Sequence, residues 1–140
     1  MTLRPFHLAF PVSDLRATQT FYGTVLGCAV GRRSETWIDF DFFGHQITAH
    51  LSPDECQTAQ TNEVDSCVVP VRHCGVILTM AQWQTLADRV RQHQIPFVIE
   101  PYIRFKGEPG EQATMFFLDP SGNALEFKAF ADDASIFATV

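Results

Sequence analysis

An internal repeat constrains the fold of this chain more than any other feature of its sequence. The segment "FHLAFPVSDL" aligns with "RHCGVILTMA", which places His7 opposite His73, 66 residues later. The segment "GHQITAHL" aligns with "GNALEFKA", which places Gly44 opposite Gly122, 78 residues later. The offsets differ by 78 − 66 = 12 residues, which locates an insertion in the second half, and we assign it to a loop at 101–112. We therefore expect two copies of one structural unit.

The first half of the chain predicts a strand, a helix and three more strands. Alternating residues from Arg4 to Val12 predict the first strand, and Ser13 and Asp14 supply the cap of a helix that stops at Gly27. Three further strands follow at "CAVGRR", "TWIDFDFF" and "HQITAHL". The order is β-α-β-β-β.

The second half repeats this order. The segment "VRHCGVILT" predicts a strand, and Thr79 is placed to cap a helix. That helix has a buried stripe at helical spacing, formed by Met80, Trp83, Leu86 and Val90. The segments "PFVIEP", "ATMFFLDP" and "NALEFKAF" predict the last three strands. We predict an α+β fold in a single domain, 1–140, with modules at about 4–52 and 70–130 and a polar connector at 53–69.

Size and composition limit the possible functions. With 140 residues, 46% of them hydrophobic, the chain can bury a core without disulfide or metal staples. A net charge of −6 argues against nucleic-acid binding, which requires clustered Lys and Arg. No apolar run is long enough to cross a bilayer, and no signal peptide is visible, so we expect no membrane partner and a cytoplasmic location. The four cysteines form no CxxC pair and are expected to be reduced.

Strand alternation places two histidines and a glutamate at repeat-related positions. His7 and His73 each lie on the face opposite the apolar residues of their strands, and each is followed two residues later by a small residue, Ala9 or Gly75. This spacing suggests open volume beside each imidazole. Glu126 lies in the last strand between apolar neighbours, where an unpaired carboxylate would cost several kcal/mol, so it needs a cation or water.

Two imidazoles and one carboxylate, with coordination positions left open, bind Fe(II), Mn(II), Ni(II) or Zn(II). A single strand histidine is more often a hydrogen-bonded structural residue than a ligand. The coincidence of His7, His73 and Glu126 at related positions favours a metal site.

These residues carry a resemblance to a known family. From "FHLAFPVSDLRATQTFYGTVLG" to "FFLDPSGNALEFKAF" the chain resembles the vicinal oxygen chelate superfamily, which includes glyoxalase I, extradiol dioxygenases, fosfomycin-resistance thiol transferases and bleomycin-binding proteins. The resemblance implies two βαβββ modules that form a cup-like half-barrel of mixed sheet with helices on the outer face. It implies a divalent metal held by His7, His73 and Glu126, a small-molecule substrate and a homodimer, with each site built within one chain or shared between two.

The resemblance also suggests candidate reactions. Glyoxalase I has a fourth ligand where this chain has Thr48, although His50 lies on the same face two residues later. A three-ligand site resembles the dioxygenases, in which Fe(II), the favoured ion here, binds a catecholic substrate and O2 together. His50 and Tyr102 are the candidate acid/base residues.

Other reactions and other roles for the pocket stay open. One alternative is a glyoxalase-like lyase or a glutathione or thiol transferase, and another is an antibiotic-binding protein without catalysis. Arg104 and Lys106 in the inserted loop are placed to bind a substrate carboxylate, or they are solvated loop charges. Trp37 faces the cup together with two acids, or belongs to a solvated strand face. These residues complete the set of substrate-binding candidates.

Overall fold

The computed structural model describes residues 2–56, 61–64 and 67–139 and divides into two compact units. The first unit contains residues 2–56 together with Asp119–Asn123. The second contains 61–64, 67–118 and 124–139. Each unit contains one β-α-β-β-β arrangement, so the chain repeats its architecture as well as its sequence.

The sheet of the first unit has four strands in the order β1-β4-β3-β2, with β1 parallel to β4 and the remaining pairs antiparallel. Helix α1 begins where the Asp14 side chain accepts a hydrogen bond from the Ala17 amide at 2.9 Å. Gly27, with φ at +78°, follows the helical segment. The elements are β1 (His7–Val12), α1 (Leu15–Gln19) with a π-helical continuation (Thr20–Val25), β2 (Ala29–Arg33), β3 (Trp37–Phe42), β4 (His45–Leu51) and a 3₁₀ turn (Pro53–Glu55).

The core of the first unit forms around Tyr22, which is almost fully buried. Its ring contacts those of Phe10, Phe21, Phe40 and Phe42, with centroids 5.0 to 6.3 Å apart. The Tyr22 hydroxyl donates a 2.8 Å hydrogen bond to the carboxylate of Asp119, which is itself buried. This core occupies the helix side of the sheet and leaves the other side for polar residues.

In the second unit the broken first strand, β7 and β8, runs parallel to β11, and the order continues through β10 to β9. A separate two-stranded hairpin, β5 and β6, precedes it. The elements are β5 (Thr61–Val64), β6 (Cys67–Pro70), β7 (His73–Cys74), β8 (Ile77–Leu78), α2 (Met80–Gln92), β9 (Phe97–Arg104), β10 (Gln112–Leu118), β11 (Ala124–Phe130) and a 3₁₀ turn (Asp133–Ser135).

Helix α2 packs against the second sheet as its sequence predicts. Thr79 and Gln82 form a reciprocal capping box at its N-terminus. The indole of Trp83 is buried and donates a 3.0 Å hydrogen bond to the Phe127 carbonyl of β11, which ties the helix to the sheet. The buried residues of the helix are Trp83, Leu86, Ala87 and Val90, whereas Met80, predicted as part of the buried stripe, is only half-buried in the first turn.

Strand pairing reproduces both offsets of the sequence repeat. His7 pairs with Gln46 on β4, and His73 pairs with Ala124 on β11. His7 and His73 are 66 positions apart, and their strand partners, Gln46 and Ala124, are 78 positions apart, as the sequence alignment requires. The predicted α+β fold with two βαβββ modules is therefore confirmed.

The structure differs from the predicted elements in four places. Strand β1 begins at His7 rather than at Arg4, and the first strand of the second unit is interrupted at 75–76. Strand β9 continues through Arg104, so the inserted loop is shorter than predicted and spans 105–111. The β5–β6 hairpin lies in the predicted connector, of which 57–60 and 65–66 are outside the described residues.

Within the described ranges, no helix is long and apolar enough to span a membrane.

Candidate functional site

One face of the second sheet carries polar side chains and points away from α2, and we call it the site face. Antiparallel pairing places Glu126 level with Phe116, and Lys128 level with Thr114 and Tyr102. Side chains at directly opposed positions share a face of the sheet. The site face consists of His73, Ile99, Tyr102, Arg104, Gln112, Thr114, Phe116, Ala124, Glu126, Lys128 and Phe130.

The parallel pairing of β7 with β11 brings two predicted metal ligands together. His73 Nε2 lies 3.3 Å from Glu126 Oε1. His73 Nδ1 is 2.9 Å from the Pro70 carbonyl oxygen and donates to it in the matching tautomer, which leaves Nε2 for a ligand. The Thr114 hydroxyl donates a 2.7 Å hydrogen bond to Glu126 Oε2. One hydrogen bond thus orients each side chain, through His73 Nδ1 and Glu126 Oε2. The remaining atoms, His73 Nε2 and Glu126 Oε1, lie next to each other.

The surroundings of this pair are mostly apolar. A buried cluster on the site face contains Val69 of the hairpin, Ile99, Phe116 and Ala124, with Tyr102 packed against it. The His73 ring contacts Phe116 edge to face, with centroids 4.9 Å apart. Apolar walls reduce the local dielectric constant and strengthen electrostatic interactions at the pair.

Two residues of this face were not identified as site residues from the sequence. Thr114 is 2% exposed and orients Glu126, and Lys128 Nζ lies 4.0 Å from Glu126 Oε1. In the sequence, each of the two is a polar residue within a mostly apolar strand. Each lies on the same face of the sheet as Glu126. Recognising this shared face requires the β10–β11 register, which the sequence alone does not fix.

Gly75 has a different role from the one its size suggested. A Cβ atom added at Gly75 would lie 1.6 Å from the Glu126 carbonyl oxygen. The residue is small because two backbones approach closely at this point, not because it leaves open volume beside His73. The interpretation of the small residue as free space is therefore wrong for Gly75.

The first unit has its own polar face, on which the remaining histidine candidates lie. His7 is exposed, and its Nδ1 is 2.9 Å from Gln46 Oε1, which leaves Nε2 as the nitrogen available to a ligand. The Thr48 hydroxyl donates a 2.6 Å hydrogen bond to Asp39 Oδ1.

His50 and Trp37 also lie on the polar face of the first unit. They face each other on β4 and β3, and His50 is exposed. The guanidinium of Arg32 stacks over the Trp37 indole, 5.7 Å from its centroid. Trp37 is therefore part of a half-buried aromatic and cationic surface.

The two cations predicted to bind substrate lie in different settings. Arg104 ends β9 on the site face, level with Gln112, and its guanidinium lies 5.0 Å from the Phe105 ring centroid. Lys106 is exposed in the 105–111 loop. Neither position establishes a substrate contact, so both stay predictions.

Among residues 2–56, 61–64 and 67–139, no three His, Cys, Asp or Glu side chains are grouped so that they could hold a metal ion. Of the three predicted ligands, His73 and Glu126 are paired in the second unit, and His7 is described in the first. The pair has the donor chemistry of a divalent site, imidazole nitrogen and carboxylate oxygen, with both groups oriented. The set of three stays a prediction.

Three of the cysteines, Cys28, Cys56 and Cys74, carry thiols that form no disulfide. Burial, followed by the negative charges of Asp119 and Glu55, raises the pKa of the Cys56 thiol. A hydrogen bond with Ser121 opposes this rise. The thiol itself donates to the Ser52 carbonyl at 3.5 Å, so Cys56 belongs to the packing of the first unit.

Comparison with known proteins identifies the family. The sequence model of the Glyoxalase/Bleomycin resistance protein/Dioxygenase superfamily matches residues 4–127, and the chain belongs to this superfamily. A sequence search of curated proteins found no match. Members of the superfamily bind small molecules and commonly use divalent metals, in keeping with an oriented His–Glu pair.

Solved structures support the assignment. A glyoxalase/bleomycin resistance protein/dioxygenase from Alicyclobacillus acidocaldarius is 36% identical, with a TM-score of 0.78, and the match covers 95% of this chain and 96% of that one. The fold also matches the fosfomycin resistance protein FosX from Listeria monocytogenes, with 15% identity, a TM-score of 0.71 and coverage of 96% and 98%. Lactoylglutathione lyase from Agrobacterium tumefaciens matches with 20% identity, a TM-score of 0.62 and coverage of 89% and 91%.

Proposed function

We propose that this protein is a metal-dependent enzyme that cleaves a catecholic substrate in the extradiol manner. The observation that carries the proposal is the His73–Glu126 pair, in which Pro70 and Thr114 each hold one atom and leave Nε2 and Oε1 3.3 Å apart. Two ligand side chains that are oriented by hydrogen bonds with their neighbours are typical of metal sites. His7 is the proposed third ligand, through Nε2.

The chain's own residues hold and enclose the reactants. When bound, a divalent metal, with Fe(II) favoured over Mn(II), Ni(II) or Zn(II), supplies Lewis acidity and a common coordination sphere for substrate and O2. His73 and Glu126 would hold this ion through two adjacent donor atoms. The cluster around Phe116 provides an apolar wall for an aromatic ring and excludes water.

Proton transfer is assigned to one of two candidates. Tyr102 lies on the site face opposite Thr114, the residue that orients Glu126, and packs against the apolar cluster. We propose it as the acid/base. His50 is the other candidate, on the polar face of the first unit. Arg104, Lys106 and Trp37 are proposed to bind the substrate.

A glyoxalase-like lyase or thiol transferase is the second candidate, since both would use the same metal ligands. The fold relatives include a fosfomycin resistance protein and a lactoylglutathione lyase. The Thr48–Asp39 hydrogen bond argues against a glyoxalase I site, because the hydroxyl at the fourth-ligand position already has an acceptor. Assays with catechol under O2 and with the methylglyoxal–glutathione hemithioacetal separate the two reactions.

The first test is metal content by mass spectrometry of protein purified anaerobically with iron supplied. We expect about one metal ion per chain in the wild type, loss in Glu126→Gln and His73→Gln, and retention in Glu100→Gln, an exposed glutamate on β9. Wild-type protein that binds no metal would exclude the enzyme proposed here and leave an antibiotic-binding protein as the best candidate.

We propose that the protein is a cytoplasmic homodimer, since members of the family often form dimers. The third ligand then comes from the same chain or from the partner. Mixing His7→Ala with Glu126→Ala distinguishes these arrangements. Recovery of metal binding in the mixture requires sites shared between chains, and no recovery requires sites within one chain.

A further inference from the structure

We infer that the small molecule bound at the site face carries an anionic group and that Lys128 holds this group. The inference rests on the proposed function, because it takes His73 and Glu126 as the ligands that receive the reacting end of the molecule. Lys128 is not proposed as a metal ligand. Its position defines what kind of substrate the site accepts.

The position of Lys128 follows from strand geometry. It lies two residues after Glu126 on the same face of β11, so the two Cα atoms are about 7 Å apart along the strand. The side chain leans back toward the glutamate and places Nζ 4.0 Å from Oε1. Pairing across the sheet places Lys128 opposite Thr114, which in turn lies opposite Tyr102. This row of residues is the one next to Glu126 on the site face.

The charge of Lys128 needs an anion when Glu126 acts as a ligand. The lysine side chain is only 35% exposed, and the Glu126 side chain is 16% exposed. A carboxylate that ligates a cation shares its charge with that cation and stabilises a neighbouring ammonium less. The ammonium is then available to pair with a charged group of the bound molecule.

Arg104 adds a second positive charge to the same face, one step beyond Lys128 in the register. The charged residues of this face are thus two cations, Lys128 and Arg104, and one carboxylate, Glu126, whereas the whole chain has a net charge of −6. Local fields of this kind select anions even on an acidic protein. The predicted molecule therefore has adjacent oxygens at one end and a carboxylate, phosphonate or phosphate at the other.

Two catechols test this inference, because they differ in the anionic group. The probes are catechol and 3,4-dihydroxybenzoate, whose carboxylate lies across the ring from the two hydroxyls. Zinc-loaded protein is used, since zinc is redox-inert and binding is measured without turnover. Isothermal titration calorimetry compares the wild type with Lys128→Met and Lys128→Arg. Arg91→Met, a loss of one charge on the exposed surface of α2, is the matched control.

We expect the wild type and Arg91→Met to bind 3,4-dihydroxybenzoate about tenfold more tightly than catechol, as one charge-assisted hydrogen bond predicts. Lys128→Met should remove this preference and leave catechol affinity and zinc content unchanged. Lys128→Arg should restore most of the preference, since the positive charge is kept. Equal binding of the two probes by the wild type, or a preference that survives in Lys128→Met, would overturn the inference.

The same titrations without metal separate this inference from the proposed function. Wild-type protein that binds no zinc but still prefers the carboxylated probe through Lys128 would refute the metal enzyme, and with it the step in which the metal frees Lys128 from Glu126, whereas the anion site itself would stand. Zinc bound by His73 and Glu126 without any preference for the carboxylated probe would have the opposite meaning, since the metal site would stand and the anion site would fall.

Discussion

Thr114 determines how Glu126 presents its carboxylate. The hydroxyl is buried and donates at 2.7 Å to Oε2, which leaves Oε1 directed toward His73. Substitution Thr114→Val keeps the shape and removes the donor, so the carboxylate can rotate. We expect metal affinity to fall about tenfold or more, as for other residues that orient metal ligands. The measurement is a zinc titration against a competing chelator.

The conservative variant Thr114→Ser is the control for this substitution. Serine keeps the donor and should restore most of the affinity, which a purely structural role of the methyl group would not allow. Thermal unfolding without metal should show a loss of about 2 kcal/mol in Thr114→Val, the usual value of one hydrogen bond to a charged group. Unchanged zinc affinity in Thr114→Val would show that Glu126 is oriented by other contacts.

The pH at which the Cys56 thiol ionises can be predicted from its surroundings. Burial, together with Asp119 and Glu55, raises the pKa of its thiol, so the thiolate forms only at higher pH than in an unfolded chain. Alkylation of Cys56 by iodoacetamide, followed by peptide mass spectrometry, should have its midpoint above that of the urea-unfolded protein. Ser121→Ala removes the opposing hydrogen bond and should move the midpoint further upward.

The same shift has a defined effect on stability. Because the folded state has the higher pKa, the folded protein binds the thiol proton more tightly than the unfolded chain. The contribution of Cys56 to stability is therefore complete below the unfolded pKa and is lost as pH rises through the folded one. A midpoint equal in the folded and unfolded protein would contradict the prediction.

At the scale of elements, Gly75 lies at the break between β7 and β8, where the backbone approaches β11 closely. A methyl group at this position would lie 1.6 Å from the Glu126 carbonyl oxygen, so Gly75→Ala must separate the two strands. We expect a loss of about 3 kcal/mol or more in unfolding free energy, the upper range for overpacking. His73 would move with its strand, so zinc affinity should fall as well.

Ala9, the residue equivalent to Gly75 in the first unit, is the matched control. It already carries a Cβ and is exposed on β1, opposite Thr48, so Ala9→Gly should cost only about 1 kcal/mol, as glycine costs elsewhere in regular structure. Urea unfolding measures both variants. A stability change in Gly75→Ala as small as that of Ala9→Gly would show that the backbones can separate at low cost.

The starts of both helices and the order of elements along the chain could be predicted from this sequence because their signals are local. Asp14 and Thr79 cap their helices as predicted, and the buried stripe of α2 follows its 3.6-residue spacing. The same locality explains the errors. The interruption at Gly75 and the extension of β9 through Arg104 depend on contacts with distant strands, which no local pattern records.

The candidate site was predictable only in its principal residues. His73 and Glu126 were identified because the repeat aligns the first histidine with the second and separates polar from apolar strand faces. The roles of Thr114 and Lys128 depend on which residue of β10 lies opposite which residue of β11. That register is a property of the folded sheet, so these roles became visible only in the structure.

For the whole molecule, metal binding should stabilise the fold. A ligand that binds only the folded state adds RT ln(1 + [L]/Kd), about 2.7 kcal/mol at a concentration 100 times Kd. For a chain of this length we expect zinc at that concentration to raise the unfolding temperature by roughly 8–12 °C. Differential scanning fluorimetry with and without a chelator measures the shift.

The controls for this prediction separate specific from adventitious binding. Glu126→Gln removes the carboxylate while keeping its shape, so zinc should no longer raise its unfolding temperature. Glu100→Gln lies on the same sheet but is exposed, so it should respond to zinc as the wild type does. A shift of equal size in all three proteins would place the bound zinc elsewhere in the folded chain, because the ligand linkage would then not depend on the His73–Glu126 pair.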